Sequence, residues 1–389
     1  MAAITLKNLA HSYDAKPVDE NDYALKGINY SWEDGGAYAL LGPSGCGKTT
    51  LLNIISGLLV PSQGQILFDD QDVTSLTPEQ RNIAQVFQFP VVYDTMTVAE
   101  NLAFPLANRG VNRQEINTRV SKMLDTLELT DKASRRANLL TADDKQKISL
   151  GRGLVRHDVN AILFDEPLTV IDPQMKWELR TKLKEIHQRL AHTMIYVTHD
   201  QTEALTFADK VVVMHEGEVV QIGTPQELFD KPDHTFVGYF IGSPGMNILP
   251  CSVNGNSAML ADYRIALNSH YKPVDSSRIE LGIRPEFIRF HDPMITNYTS
   301  NTLLPVTVEK IDDIGRHRVA KVQLAGHNIN IVIAEGEPDP GVDARIVFDP
   351  EYINIYADDR RLQPVDNKPV NISSNQKETY KHSNPGDPT

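Results

Sequence analysis

The sequence has few cysteines, no long apolar run and no excess of positive charge. Its 389 residues include two cysteines, Cys46 and Cys251, which argues against structural disulfides and favours a reducing compartment. No stretch of eighteen apolar residues occurs, and the start of the chain lacks a signal-peptide core, so we expect any membrane role to depend on a partner. The net charge of −13 argues against nucleic acid as the main partner, since phosphate backbones require a basic surface.

The most informative motif is Gly42–Thr50, which fits the phosphate-binding pattern G-x-x-x-x-G-K-[ST] between a predicted strand at 38–41 and a predicted helix. Its glycines allow backbone N–H groups to point at a phosphate, and the helix N-terminus faces the same anion. We expect Lys48 to reach the β- and γ-phosphates of a nucleotide and Thr49 to bind magnesium. The predicted nucleotide-binding residues of the loop are Gly42, Pro43, Ser44, Gly45, Cys46, Gly47, Lys48, Thr49 and Thr50.

The rest of the chain divides by its patterns into an α/β part and an all-β part. Continuous apolar runs at 161–164 and 193–198 alternate with helical segments, which is typical of a doubly wound parallel sheet. Beyond residue 241, short strands separated by proline, glycine and aspartate predict a β-barrel-like domain. The predicted boundaries are 1–90 and 157–240 for the nucleotide-binding core, 91–156 for a helical subdomain, 241–361 for the β domain and 362–389 for a disordered tail.

Polar side chains follow several predicted strands of the core directly. Gln88 ends the strand predicted at 83–88, Asp165 and Glu166 follow the run at 161–164, and His199 follows the run at 193–198. Ligands of doubly wound sheets bind at the carboxyl ends of the strands, so we expect these side chains to converge on Lys48. A loop carboxylate or a lone histidine is more often simply solvated, and only the preceding apolar strands favour a functional interpretation.

With these residues in order, the sequence resembles the ATP-binding cassette (ABC) subunits of bacterial importers over about residues 1–361. It is most similar to the carbohydrate-importer subfamily, typified by maltose and glycerol-3-phosphate importers. The motifs GSPGMN at 242–247 and LGIRPE at 281–286 match the start and interior of that subfamily's C-terminal regulatory domain. The resemblance implies a RecA-like P-loop NTPase core with a helical subdomain, an all-β domain of oligonucleotide-binding (OB)-like folds, and ATP and Mg²⁺ as cofactors.

The resemblance also implies a role for each candidate residue. Tyr13 matches the aromatic that stacks on adenine, although a strand-end aromatic packed on the core is the alternative. Glu166 matches the general base that polarises the attacking water, and His199 matches the histidine that contacts the γ-phosphate. Asp172 matches the aspartate that links the two sites of a cassette dimer. The implied magnesium ligands are Thr49, Gln88 and Asp165, with Gln88 also meeting the attacking water unless it is merely a solvated amide.

One segment departs from the family pattern. The family signature reads Leu-Ser-Gly-Gly-Gln, whereas the matching residues here are Leu140, Thr141, Ala142, Asp143 and Asp144. In the family this segment closes over the γ-phosphate held by the other cassette of the dimer, and its glycines allow close approach. Two unit charges about 5 Å apart at an effective dielectric near 20 repel by roughly 3 kcal/mol, so an aspartate there opposes closure. Lys145 is expected to offset part of this repulsion.

These observations predict an ATP-hydrolysing importer subunit in an asymmetric heterodimer with a second, non-identical ABC ATPase subunit. The alternative is a mainly structural or regulatory subunit that binds ATP while its partner hydrolyses. The other expected partners are two transmembrane permease subunits, whose helix would dock near 91–97, and indirectly a periplasmic or external solute-binding protein, but not nucleic acid. We expect a peripheral location on the cytoplasmic face of the bacterial inner membrane. The substrate is expected to be a carbohydrate or polyol, with glycerol or glycerol phosphate favoured.

Overall fold

The structure is a computed structural model that describes residues 2–274, 276, 278–291, 303–315 and 317–365. Its contacts divide the chain into two compact units, the first ending at Pro232 and the second beginning at Asp233. Most of the tail predicted at 362–389 lies outside the described residues, and the sequence-based domain boundaries stay predictions. In the described part of the chain, no helix combines the length and the apolar character needed to cross a bilayer.

The first unit contains two sheets. Its strands are β1 (Ile4–His11), β2 (Leu25–Trp32), β3 (Ala37–Leu41), β4 (Gln63–Phe68), β5 (Gln71–Asp72), β6 (Ala84–Val86), β7 (Ile162–Asp165), β8 (Met194–Thr198), β9 (Lys210–His215) and β10 (Glu218–Gly223). The larger sheet has the order β10-β9-β3-β8-β7-β6, and all its neighbouring strands are parallel except β9 and β10, which form an antiparallel hairpin. The smaller sheet has the antiparallel order β2-β1-β4-β5.

The register of the larger sheet positions the site. Leu41 is paired with Thr198, and Asp165 is paired with Val197, so β3, β7 and β8 end at one edge. Every residue of β3 and β8 is buried, as the continuous apolar runs predicted. Side chains of both sheets and of the helix after β3 form one hydrophobic core. The doubly wound parallel sheet predicted from the sequence is confirmed.

The helices begin and end near residues with known capping behaviour. They are α1 (Lys48–Ser56), α2 (Val98–Ala107), α3 (Arg113–Thr126), α4 (Ala142–Leu154), α5 (Pro173–Leu190), α6 (Gln201–Phe207) and α7 (Pro225–Asp230) in the first unit and α8 (Thr235–Phe240) in the second. Asn112 accepts the N–H of Glu115 at 2.9 Å and caps α3, since asparagine is a favoured N-cap residue. Helices α2, α3 and α4 pack on one another, which accounts for the helical character of this region.

Apart from α8 and short helical turns, the second unit is built of antiparallel strands. They are β11 (Asn247–Pro250), β12 (Ser252–Leu260), β13 (Tyr263–Tyr271), β14 (Ile279–Ile283), β15 (Ile288–Phe290), β16 (Leu304–Asp313), β17 (Arg318–Leu324), β18 (His327–Ile333), β19 (Asp343–Phe348), β20 (Asn354–Ala357) and β21 (Arg360–Arg361). The sheets have the orders β11-β14-β20-β21, β12-β13 and β15-β19-β16-β17-β18. They surround one apolar core. The sequence pattern predicts one strand over 344–356, which is wrong because a helical turn at Pro350–Tyr352 separates β19 from β20.

Candidate active site

The phosphate loop wraps around its own lysine. Gly47 adopts a φ of 99° at the start of α1, and a Cβ atom there would lie 2.6 Å from the carbonyl oxygen of Ala24. Only glycine fits this position without strain or overlap. The Lys48 ammonium is buried and donates to the carbonyl oxygens of Gly42 and Pro43, each at 2.8 Å. The loop therefore holds a cation at the positive end of a helix, an arrangement suited to an anion such as phosphate.

A hydroxyl and a carboxylate meet beside this loop. Thr49, in the first turn of α1, donates from Oγ1 to Oδ1 of Asp165 at 3.3 Å. Asp165 is the last residue of β7, and burial raises the pKa of its carboxyl group, an effect that the Thr49 hydrogen bond partly opposes. Both groups offer oxygen ligands, which Mg²⁺ prefers, and a bound cation would relieve the desolvation of Asp165. These two residues fit the magnesium site that their sequence predicts.

Glu166 and His199 face each other one residue beyond the ends of neighbouring strands. His199 Nδ1 lies 3.2 Å from Glu166 Oε2, and the same oxygen accepts a hydrogen bond from the Thr169 hydroxyl at 3.2 Å. Glu166 has a φ of 44°, which is uncommon for a residue with a side chain and is held here by its N–H bond to Val197 O at 3.0 Å. The backbone thus fixes a carboxylate and an imidazole within hydrogen-bonding distance at the sheet edge.

Tyr13 lies beside the end of the phosphate loop. Its hydroxyl is 3.0 Å from Thr50 Oγ1, and its ring stands edge-on to His11 with centroids 4.7 Å apart. The residue is 68% exposed, so its ring does not pack into the core. An exposed aromatic face beside a phosphate loop is free to stack on a base.

Two predicted site residues make no hydrogen bond or ion pair with these side chains in the part of the chain that the structure describes. Gln88 lies two residues beyond β6, and its side chain makes no hydrogen bond to any other described residue. Asp172 caps α5, where its carboxylate accepts the N–H of Gln174 at 3.0 Å. Asp172 therefore has a structural task in its own chain. The predicted roles of both residues in binding magnesium and linking sites stay predictions.

The degenerate signature forms the start of α4. Thr141 is the N-cap, and its hydroxyl accepts the N–H of Asp144 at 3.3 Å. Asp144 is buried, and both of its carboxylate oxygens lie 2.9 Å from Lys132 Nζ, so its charge is neutralised within the chain. Ala142 is exposed and Asp143 is partly exposed. In the described part of the chain, no hydrogen bond or ion pair engages the Asp143 carboxylate.

This arrangement corrects the charge balance expected from the sequence. Asp144 is a structural residue, which leaves Asp143 as the one uncompensated carboxylate of the segment among the described residues. Lys145 does not offset it, because its ammonium lies 2.9 Å from Asp94 Oδ1. The sequence interpretation missed these pairings because Lys132 and Asp94 lie 12 and 51 residues from their partners.

A buried amide connects α4 with the neighbouring loops. Gln146 Nε2 donates to the carbonyl oxygens of Pro167 at 2.6 Å and Phe87 at 3.3 Å. The first acceptor directly follows Glu166 and the second directly precedes Gln88. Gln146 was not predicted as a functional residue, although a polar residue among the apolar positions of a helix is the available signal.

Comparisons with known proteins agree with this geometry. Residues 25–169 match the ABC transporter family, 242–288 the MalK OB fold domain and 281–353 the TOBE domain. The chain is 36% identical over 360 residues to the sn-glycerol-3-phosphate import ATP-binding protein UgpC of Chromobacterium violaceum, covering 92% of this chain and 94% of that protein. It is 37% identical over 349 residues to the trehalose/maltose import ATP-binding protein MalK of Thermococcus litoralis, covering 86% and 93%.

Solved structures share the fold of the nucleotide-binding part. The structure of cbiO1 from Clostridium perfringens, part of the ABC transporter complex cbiONQ, matches with a TM-score of 0.53 and 29% identity, covering 59% of this chain and 90% of that one. A dimeric post-hydrolysis state of the ATP-binding cassette MJ0796 bound to ADP and Pi matches with a TM-score of 0.50 and 27% identity, covering 57% and 98%. The phosphate loop, the sheet order and these similarities agree: the chain belongs to the ABC transporter ATP-binding subunits, P-loop ATPases coupled to transport, and carries the OB-like C-terminal domain of the MalK type.

Proposed function

We propose that this chain binds and hydrolyses ATP with Mg²⁺ as a subunit of a bacterial importer for a carbohydrate or polyol, with glycerol or glycerol phosphate favoured. The support is the relatives named for sn-glycerol-3-phosphate import, of which the chain covers 94% and 95% in two cases at 36% and 37% identity. A relative named for sulfoquinovosyl glycerol transport, SmoE of Agrobacterium fabrum, is 33% identical. A glycerol-containing solute is common to these names.

The observation that carries the catalytic proposal is the contact between Glu166 and His199 at the sheet edge. Glu166 is the proposed general base, since its carboxylate is oriented by two hydrogen-bonding partners and can accept a proton from water. His199 is the proposed contact to the γ-phosphate, because its ring is largely exposed beside that carboxylate. In phosphoryl transfer the protein acts mainly through positioning and charge, and fixed side chains suit that task.

The phosphates and magnesium are proposed to lie across the start of α1. Lys48 would exchange its two carbonyl acceptors for phosphate oxygens. Thr49 and Asp165 would hold Mg²⁺. Gln88 would approach the Mg²⁺ when the cassette dimer closes. Bound Mg²⁺ supplies charge neutralisation for the phosphoryl group. Tyr13 would stack on the adenine. The Lys48 ammonium already lies within the loop, 2.8 Å from the carbonyl oxygens of Gly42 and Pro43.

The degenerate signature supports an asymmetric heterodimer. In a homodimer both sites would combine an intact phosphate loop with a signature that carries Ala142 and Asp143, and hydrolysis would be slow at both. A second, non-identical cassette with an intact signature would complete this chain's site and leave the other site slow or silent. We propose that this pair assembles with two permease subunits on the cytoplasmic face of the membrane and is served by an external solute-binding protein.

The test is turnover of the assembled complex, co-expressed with the subunits encoded by neighbouring genes. We expect Glu166→Gln to lower ATP hydrolysis about a hundredfold or more, because the proton acceptor is lost. Glu216→Gln is the matched control, since Glu216 also has a positive φ, is exposed and lies beside a histidine, at 3.9 Å. If Glu166→Gln leaves turnover near wild type, the partner cassette hydrolyses and this chain is the structural or regulatory subunit.

The composition and stoichiometry of the same complex test the asymmetry. We expect one copy of this chain and one different cassette in the intact mass of the complex, and one efficiently hydrolysing site. Replacing Ala142 and Asp143 together by glycine should speed hydrolysis at the slow site. A complex with two copies of this chain and no other cassette would overturn the heterodimer and leave the roles of Glu166 and His199 unaffected.

A further inference from the structure

A buried carboxylate lies directly behind the edge of the sheet that carries His199. Glu203, in α6, is 3% exposed. Its Oε2 accepts hydrogen bonds from Tyr196 Oη at 3.0 Å and Thr198 Oγ1 at 2.9 Å, and its Oε1 lies 3.6 Å from Lys176 Nζ. Both oxygens are therefore engaged, as a buried carboxylate requires. These four side chains form one polar cluster, the Glu203 cluster, that joins β8, α6 and α5.

The Thr198 hydroxyl connects Glu203 with the backbone on both sides of His199. Because its proton is donated to Glu203, its lone pairs are directed elsewhere, and it accepts the N–H of Asp200 at 3.0 Å. His199 lies between the two residues that this bond connects, so its backbone is held on both sides. The imidazole in turn contacts Glu166. The direction of the His199 side chain thus depends on a hydroxyl whose own orientation is set by Glu203.

Tyr196 and Lys176 anchor the cluster on either side. Burial raises the pKa of the Tyr196 hydroxyl, which therefore stays protonated and able to donate. Its ring packs against Phe164, with centroids 5.9 Å apart, in the strand that ends at Asp165. Lys176 lies in the first turn of α5, where its N–H bonds the carbonyl oxygen of Asp172 at 3.0 Å. The cluster thus connects the start of α5 with the end of β8.

We propose that Glu203 is a positioning residue for ATP hydrolysis, which fixes His199 through the Thr198 hydroxyl and couples it through Lys176 to the start of α5. None of the four side chains of the cluster is proposed to touch nucleotide. The cluster should therefore affect the rate of the chemical step and leave ATP binding unchanged. This inference rests on the proposed role of His199, and the experiment below separates the two.

The experiment measures kcat and KM for ATP in the assembled complex. Thr198→Val removes the hydroxyl at nearly constant volume, and we expect kcat to fall about tenfold to a hundredfold, as for other small misplacements of catalytic groups, with KM within about twofold. Thr198→Ser keeps the hydroxyl and should restore most of the rate. The matched control is Thr193→Val, one residue before the opposite end of β8, where the buried hydroxyl hydrogen-bonds with Ala2 O and Asp34 Oδ1, both at 3.2 Å.

His199→Ala, alone and combined with Thr198→Val, completes the series. If Thr198 acts through His199, the double variant should be no slower than His199→Ala, because both changes then remove the same contribution of His199 to kcat. If His199→Ala leaves kcat unchanged, the proposed role of His199 fails. If His199→Ala lowers kcat while Thr198→Val does not, or if Thr193→Val lowers kcat equally, the positioning role is wrong. Should Thr198→Val not fold, Thr198→Ala removes the same hydroxyl without placing a methyl group beside Glu203, and Thr193→Ala is then its control.

Discussion

The ion pair between Lys132 and Asp144 at the start of α4 is largely buried, and this burial sets how much unfolding free energy is lost when the pair is broken. The Asp144 side chain is 9% exposed and the Lys132 side chain 29%. Lys132→Met removes the positive charge, keeps most of the aliphatic stem and leaves a buried carboxylate without a counterion. Removing one partner of a fully buried pair lowers the free energy of unfolding by about 3–5 kcal/mol. Because Lys132 is partly exposed, water screens the remaining charge, and we expect the free energy of unfolding to fall by about 2 kcal/mol.

Urea unfolding of the full chain, followed by tryptophan fluorescence, measures this loss. The sequence has two tryptophans, Trp32 and Trp177, and both lie in the first unit, so their emission reports on the unit that contains the ion pair. Trp32 is 1% exposed and should change its emission most on unfolding. If the free energy of unfolding falls by about 2 kcal/mol per molar urea, the expected loss of stability lowers the urea midpoint of unfolding by about 1 M.

Two further variants decide whether burial of the charge is the cause. Lys145→Met is the matched control: Lys145 also lies 2.9 Å from an aspartate, but that aspartate, Asp94, is 59% exposed, so we expect a loss of less than about 1 kcal/mol. Adding Asp144→Asn to Lys132→Met should recover much of the lost stability, since no unpaired charge remains. The reasoning is refuted if both lysine variants lose the same stability, or if the effects at Lys132 and Asp144 simply add.

Two other predictions concern aspartates of the site. Burial raises the pKa of Asp165, so its ionisation destabilises the native state increasingly as pH rises from the unfolded-state pKa through the folded-state pKa. Asp165→Asn should therefore equal or exceed wild type in unfolding free energy at pH 7 while ATP hydrolysis is lost; a less stable variant in urea would contradict this. Asp172→Ala removes the cap of α5 and should cost about 1 kcal/mol, whereas Asp172→Asn, which still caps, should cost little in the same measurement.

The phosphate loop and the sheet were predictable because their signals are local. A glycine pattern between an apolar strand and a helix has few interpretations other than a phosphate-binding loop. Parallel strands place their carboxyl ends together, and this predicted that Asp165, Glu166 and His199 lie at one edge of the sheet. The magnesium role of Gln88 and the dimer role of Asp172 came from the resemblance, and among the described residues neither side chain makes a hydrogen bond or ion pair with Thr49, Asp165, Glu166 or His199. Side-chain pairing across the fold, such as Lys132 with Asp144, leaves no periodic trace in the sequence.

The C-terminal unit contains a hairpin, β12 and β13, that was not predicted from the sequence. The hairpin of β12 and β13 turns at Ala261, which adopts a φ of 49°. That conformation normally favours glycine or asparagine, so an alanine as the first turn residue weakens the hairpin signal, although Asp262 follows it. Helices α6 and α7 were missed for another reason, since helices of seven and six residues are too short to show a clear apolar period.

The amide of Gln146 has a consequence for how the subunit moves. One nitrogen is shared between the carbonyl groups beside Gln88 and Glu166, and neither bond can lengthen by much without breaking. Rotation of α4 must therefore either carry both loops along or uncouple them. A displacement of the start of α4 would therefore act on the segments beside Gln88 and Glu166 through the Gln146 side chain.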